Sequence, residues 1–138
     1  MRLVLDTNVV LDVLLERAPF DADGVKVMSA VETGAAEGFL CATTITTIHY
    51  LTAKAVGRKV AEKHIAVLLR IFRIAAVTES VLSSALGSKA KDFEDAVLLE
   101  AARTVSADVI VTRNPSDFQK SAGISIHMPA DIVRILGL

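Results

Sequence analysis

Three acidic segments hold residue types that could do chemistry together. Asp6-Thr7-Asn8 follows the apolar run Leu3-Val4-Leu5, Asp92-Phe93-Glu94-Asp95 opens a helical pattern, and Thr112-Arg113-Asn114-Pro115-Ser116-Asp117 follows Val109-Ile110-Val111. Taken singly, each has a structural account. Asp6 caps the helix that begins beside it, unless Asn8 takes that place and leaves the Asp6 carboxylate to face a cleft. Acidic residues in a first turn favour the helix dipole, and Asp92 suits the cap of its helix. Asn114 and Asp117 suit a proline turn in which they bond their own backbone.

The combination asks for more. If Asp6, Asp95 and Asp117 converge, each pair about 5 Å apart at an effective dielectric near 20 repels by about 3 kcal/mol. A hard divalent cation removes that cost. Carboxylate oxygens suit Mg²⁺ or Mn²⁺, whereas Cys41, His49, His64 and His127 show none of the paired spacings of zinc sites. An acidic cluster around a hydrated cation is equipment for phosphodiester hydrolysis, because the metal activates water, steadies developing charge and docks a phosphate.

Short apolar runs and helical patterns must position these residues. Leu3 to Leu5, Gly38 to Ala42, Ala75 to Val77, Val109 to Val111 and Ile124 to Ile126 read as strands, being short and, for the most part, rich in branched residues. Between them the spacing predicts helices over Val9 to Leu15, Asp21 to Ala36, Ile45 to Ala55, Val60 to Phe72, Ser80 to Leu86, Asp92 to Val105 and Ala130 to Leu136. Strands alternating with helices give a three-layer α/β fold with a mainly parallel sheet, whose ligands gather at the carboxyl ends of the strands. Asp6 and the 112 to 117 segment both lie at such ends. No linker or repeat divides the chain, so 138 residues are read as a single domain spanning 1–138.

Composition narrows the function classes. Fifteen Lys and Arg against 16 Asp and Glu leave a net charge of −1, so no chain-wide positive field attracts nucleic acid. Contact with it must be local or bridged by metal. Hydrophobic content is 52%, yet charged residues such as Asp12 and Glu16 break every apolar run well short of a membrane span. One cysteine and the absence of a signal-peptide pattern point to the cytoplasm.

Leu5-Asp6-Thr7-Asn8-Val9, Asp92-Phe93-Glu94-Asp95-Ala96 and Val111-Thr112-Arg113-Asn114 with Asp117-Phe118, in that order, make the sequence resemble a PIN domain. Within that family it is most similar to PilT N-terminus-like proteins and VapC-type toxin ribonucleases, over essentially the whole chain. The resemblance implies an α/β/α sandwich, a Mg²⁺ or Mn²⁺ site and metal-dependent RNA cleavage. By position, Asp6, Asp95 and Asp117 match the family's acidic ligands, and Asn8 and Thr112 match polar neighbours that orient carboxylates or waters. Where many relatives carry a glutamate on the third helix, this chain aligns His49. His49 is a nitrogen ligand, a proton carrier or a packed histidine. Asp92 and Glu94 are the neighbouring carboxylates that could supply the missing acid.

Asp12, one turn past Asn8, is expected at a solvent-exposed helix position. Arg113 is the candidate phosphate contact, since it rises from a strand end and offers two donors to one anion. Arg58, Lys59, Lys63, Arg70 and Arg73 read mainly as a solvated face, and Lys89 and Lys91 precede the acidic turn. One Tyr, five Phe and no Trp give little equipment for base stacking, so shape must set RNA specificity. The functional expectation is a metal-dependent ribonuclease, as the toxin half of a toxin–antitoxin pair. A PIN-like RNA- or protein-binding module without catalysis is the alternative. A haloacid-dehalogenase-type phosphatase would need a second acid where the chain has Asn8. The expected partners are an RNA substrate, an antitoxin and a second copy of the chain, through the apolar segments Val25 to Val31 and Ile65 to Phe72, with no membrane contact.

Overall fold

Alternation along three strands sets the architecture. Leu3, Leu5, Leu40, Val109 and Val111 enter one buried cluster, whereas Val4, Phe39, Cys41 and Ile110 enter another. Strands buried on both faces must be covered on both, which is the condition met by parallel strands joined through helices. The computed structural model describes residues 1–88, 90, 92–118 and 123–138. Among them β1 (Arg2–Leu5), β2 (Glu37–Cys41), β3 (Arg73–Ala75), β4 (Val109–Val111) and β5 (Ser125–His127) form one sheet in the order β3-β2-β1-β4-β5. All four pairings are parallel.

The helices are α1 (Thr7–Leu14), α2 (Asp21–Glu32), α3 (Ala42–Val56), α4 (Arg58–Ile71), α5 (Glu79–Leu86), α6 (Phe93–Thr104) and α7 (Pro129–Leu136). Val9, Val27, Met28, Ile48, Leu68 and Ile132 bring α1, α2, α3, α4 and α7 onto the first face. On the second face Val81, Ala85, Ala96 and Ala101 seat α5 and α6. The result is the three-layer α/β/α sandwich expected from the pattern. Among the described residues no helix is long and apolar enough to cross a membrane.

Several boundaries differ from the expected ones for local reasons. Helix α2 stops at Glu32 rather than Ala36, because Gly34 turns the chain at φ +86°, a conformation that suits glycine. The third strand is Arg73–Ala75, with Cys41 opposite Ala75, rather than 75–77. As an edge strand it leaves Arg73 and Ile74 exposed, so apolarity is a poor guide to its register. Helix α3 starts at Ala42, three residues early, because the last residue of β2 is also its cap.

Gly38 marks a close approach on β2. A methyl group there would lie 2.5 Å from Val31 Cγ1 and 2.8 Å from Phe72 Cδ1. Gly38→Ala therefore forces α2 or the end of α4 off the sheet, and urea denaturation should show a loss of about 1–3 kcal/mol. An unchanged midpoint would mean that Val31 and Phe72 repack freely.

Candidate active site

The chain builds β1, β2 and β3 outward on one side, then crosses to add β4 and β5 on the other. The direction switches between β1 and β4, the place where ligands collect in open parallel sheets. There Asp6 N donates to Val111 O at 2.9 Å, and Thr112 N donates to His127 O at 2.9 Å. Three strand ends are thereby held together.

Asp6 divides its two oxygens between structure and cleft. Oδ1 accepts from Thr7 N at 2.8 Å and caps α1. Oδ2 accepts from the Thr112 hydroxyl at 2.8 Å and from the Asn8 side-chain amide at 3.3 Å. Asn8 is therefore not the cap, and Asp6 needs no release from capping to face inward. The fully buried Thr112 also accepts from Asn114 N at 3.1 Å, and Asn8 Oδ1 accepts from Arg113 N at 3.4 Å. These bonds fix the turn after β4.

Asp92 caps α6, with Oδ1 accepting from Asp95 N at 3.2 Å. That cap starts the helix where Asp95, in its first turn, looks toward Asp6. After Asn114 the chain makes a 3₁₀ turn, Pro115–Phe118, in which Asp117 N donates to Asn114 O at 3.0 Å and Phe118 is buried. Asp6, Asn8, Asp92, Glu94, Asp95, Asn114 and Asp117 thus line one cleft of about 380 Å³, together with Thr7, Leu11, Arg17, Thr47 and Arg113.

The charges feel one another. Burial, followed by the charges of Asp6, Asp92, Asp117 and Glu94, pushes the Asp95 carboxyl up to about 7 from 3.8. Burial also raises Asp6, against the hydrogen bonds from Thr112 and Thr7 and with help from Asp117 and Asp92. Two acids raised in one cleft at a sheet's switch point make it the candidate functional site.

A PIN domain family model matches residues 2–116. The chain belongs to the PIN domain family. No curated protein matches it in sequence. Among solved structures, this PIN domain is similar to DNA-bound VapBC from Salmonella typhimurium, at a TM-score of 0.70 and 14% identity, covering 94% of this chain and 98% of that one. FitAB bound to an IR36 DNA fragment superposes at a TM-score of 0.67 and 22% identity, covering 92% and 94%. Mycobacterium tuberculosis VapC20, described as a sarcin–ricin loop cleaving toxin, does so at 0.64 and 13% identity, covering 78% and 86%. At these identities the likeness is one of fold.

One open sequence reading of this PIN domain is narrowed and one expectation needs correction. His49 is not among the residues lining the cleft, and α3 reaches it through Thr47, whose hydroxyl donates to Glu94 Oε1 at 3.4 Å. Two residues on, His49 lies about 200° further round the helix. Asp12 is not solvent-exposed but 1% accessible, because α1 is apolar on both sides of it and two arginines meet its carboxylate. One of them is Arg113, which lines the cleft with its guanidinium held on Asp12. Sequence reasoning also missed Arg17 and Thr47. The signal for Arg17 was present, since a lone aspartate inside Val9-Val10-Leu11-Asp12-Val13-Leu14 needs a buried partner. Lys89 and Lys91 lie outside the described residues.

The donor set fits a hard cation and not a soft one. All acidic donors in the cleft are oxygens, and burial, with repulsion among the carboxylates, holds Asp6 and Asp95 at raised pKa. Among the described residues no three ligating groups already close into a metal cage. Mg²⁺ suits such a site because it keeps several waters and needs only one or two direct carboxylates.

Proposed function

We propose that the chain is a Mg²⁺- or Mn²⁺-dependent ribonuclease that acts as the toxin of a toxin–antitoxin pair. The observation that carries this reading is the gathering of Asp6, Asp95 and Asp117, with Asp92 and Glu94, in one cleft where the sheet changes direction. Similarity of fold to a toxin–antitoxin complex from Klebsiella pneumoniae supports an antitoxin partner, and similarity to a sarcin–ricin loop cleaving toxin supports RNA as substrate. Asp6, Asp95 and Asp117 would hold the cation. When bound, it supplies acidified water and charge compensation for a scissile phosphate.

The other residues prepare that chemistry. Asn8 and Thr112 fix the cleft-facing oxygen of Asp6, so its direction does not depend on the ligand. Asp92 orders the start of α6, while Glu94 and Asn114 extend the polar rim toward water-mediated contacts. Arg113 and Arg17 stand on the cleft wall, where phosphates flanking the scissile one would lie. The chain functions as one cytoplasmic domain and pairs with a second copy. Val27, Met28 and Val31 are spent in the core, which leaves Val25 on α2 and Val67 and Leu69 on α4 as the exposed apolar side chains of the two segments.

The test is incubation with structured RNAs, including a sarcin–ricin loop hairpin, in Mg²⁺, Mn²⁺ or EDTA. Cleavage is expected in either metal and not in EDTA. Metal binding without cleavage of any RNA would favour the non-catalytic binding module.

A further inference from the structure

Among the described residues Asp12 is the one charged side chain that is fully buried. Its carboxylate serves two guanidiniums at once. Arg17 Nε lies 2.9 Å from Oδ1, Arg113 Nε lies 2.6 Å from Oδ2, and Arg113 Nη2 donates to Oδ1 at 3.3 Å. The ring of Phe20 covers Arg113 with its centroid 4.2 Å from the guanidinium carbon. Arg17 is brought back over Asp12 by the turn after α1, where Glu16 adopts φ 51° and Arg17 N donates to Asp12 O at 2.9 Å. Both the backbone and the side chain of Asp12 are thus committed to placing these arginines.

The placement is specific because Arg113 has a competing partner. It follows Thr112 directly and lines the same cleft as Asp6, Asp95 and Asp117. A free guanidinium beside those acids would pair with them in bidentate fashion and supply from within the positive charge that the cleft lacks. We propose that Asp12 is a positioning residue, a counter-ion that holds Arg113 on the cleft wall and thereby keeps the carboxylates open to a divalent cation. This rests on the metal-site reading given above. The burial of Asp12 follows from the role, since a carboxylate left in water would hold a guanidinium only weakly, whereas a buried one paired twice holds it firmly.

Mn²⁺ titration followed by the EPR signal of the free ion tests this without any substrate. Four proteins are compared after circular dichroism confirms their fold: wild type, Asp12→Asn, Arg113→Gln and the double variant. Asp12→Asn should weaken Mn²⁺ binding by about tenfold or more, and adding Arg113→Gln should restore it. Arg113→Gln alone should leave affinity within about threefold, the remnant of a screened charge. Wild-type affinity in Asp12→Asn would overturn the assignment and leave the metal site standing. So would a double variant as weak as Asp12→Asn, which would mark a packing defect. If Asp12→Asn does not fold, Arg113→Gln decides, because tenfold tighter binding would show that the guanidinium already occupies the carboxylates. A wild-type protein that binds no Mn²⁺ would overturn the metal site and this role together.

Discussion

Asp95→Asn is expected to raise the melting temperature of the metal-free protein at pH 8 while abolishing RNA cleavage. The folded protein holds the Asp95 proton up to about pH 7, against 3.8 for an ordinary aspartate. Between those values the folded state binds more protons than the unfolded one, so stability falls as pH rises and stays low above 7. Asparagine carries no charge to desolvate or repel, so the variant lacks this fall. Asp95 is partly open to solvent, which screens the effect to about 1–2 kcal/mol, or about 3–8 °C in a chain of this size. Melting curves of the two proteins should converge below pH 4 and separate by pH 8. Parallel curves across that range would refute the electrostatic account. Mn²⁺ should raise the melting temperature of the wild type and not of the variant. If Asp95 holds the cation as proposed, its loss should lower the cleavage rate by about 10²-fold or more.

Thr112→Val should destabilise the protein by more than Asp95→Asn stabilises it, from a change that preserves shape. Thr112 is fully buried, donates to Asp6 Oδ2 at 2.8 Å and accepts from Asn114 N at 3.1 Å. Valine fills the same volume and does neither. The cleft-facing Asp6 oxygen loses the shorter of its two side-chain donors and the Asn114 N–H its acceptor, at about 2–3 kcal/mol in total. The Asp6 pKa, which the Thr112 bond holds down, should rise further. Chemical denaturation at pH 7 measures the loss. Thr112→Ser should recover most of it, because the hydroxyl returns. A valine variant as stable as the wild type would show that the Asn8 amide alone suffices for the cleft-facing oxygen of Asp6.

Much of this was legible in the sequence because it depends on local pattern. Short apolar runs gave the strands, and helical periodicity between them gave the three layers. The three acidic segments were readable because each sits at a strand end or in a first helical turn, which sequence order alone fixes. The direction of α3 was not readable. Residues 47 and 49 differ only by rotation about the helix, and the packing of α3 against α1 and α4, which involves distant residues, decides which one meets the cleft. Asp12 was misread for the opposite reason. Its partners Arg17 and Arg113 lie 5 and 101 positions away, and the nearer is brought to it by a turn at Glu16 that no glycine announces. Register at the β3 edge failed because exposed residues carry no burial signal.

The pairing of β1 with β4 has a consequence in time. Asp6 meets Thr112 across 106 residues of chain, and the two strands lie side by side through Leu3 and Val109. Contacts so distant carry a large loop-closure cost, which slows folding relative to a chain held by local contacts. During synthesis, a chain lacking β4 has Asp6 but neither Thr112 nor Asp117 beside it, and its first strand has a vacant edge. The cleft is therefore complete only when about four-fifths of the polypeptide has been made, whatever its first half has already folded.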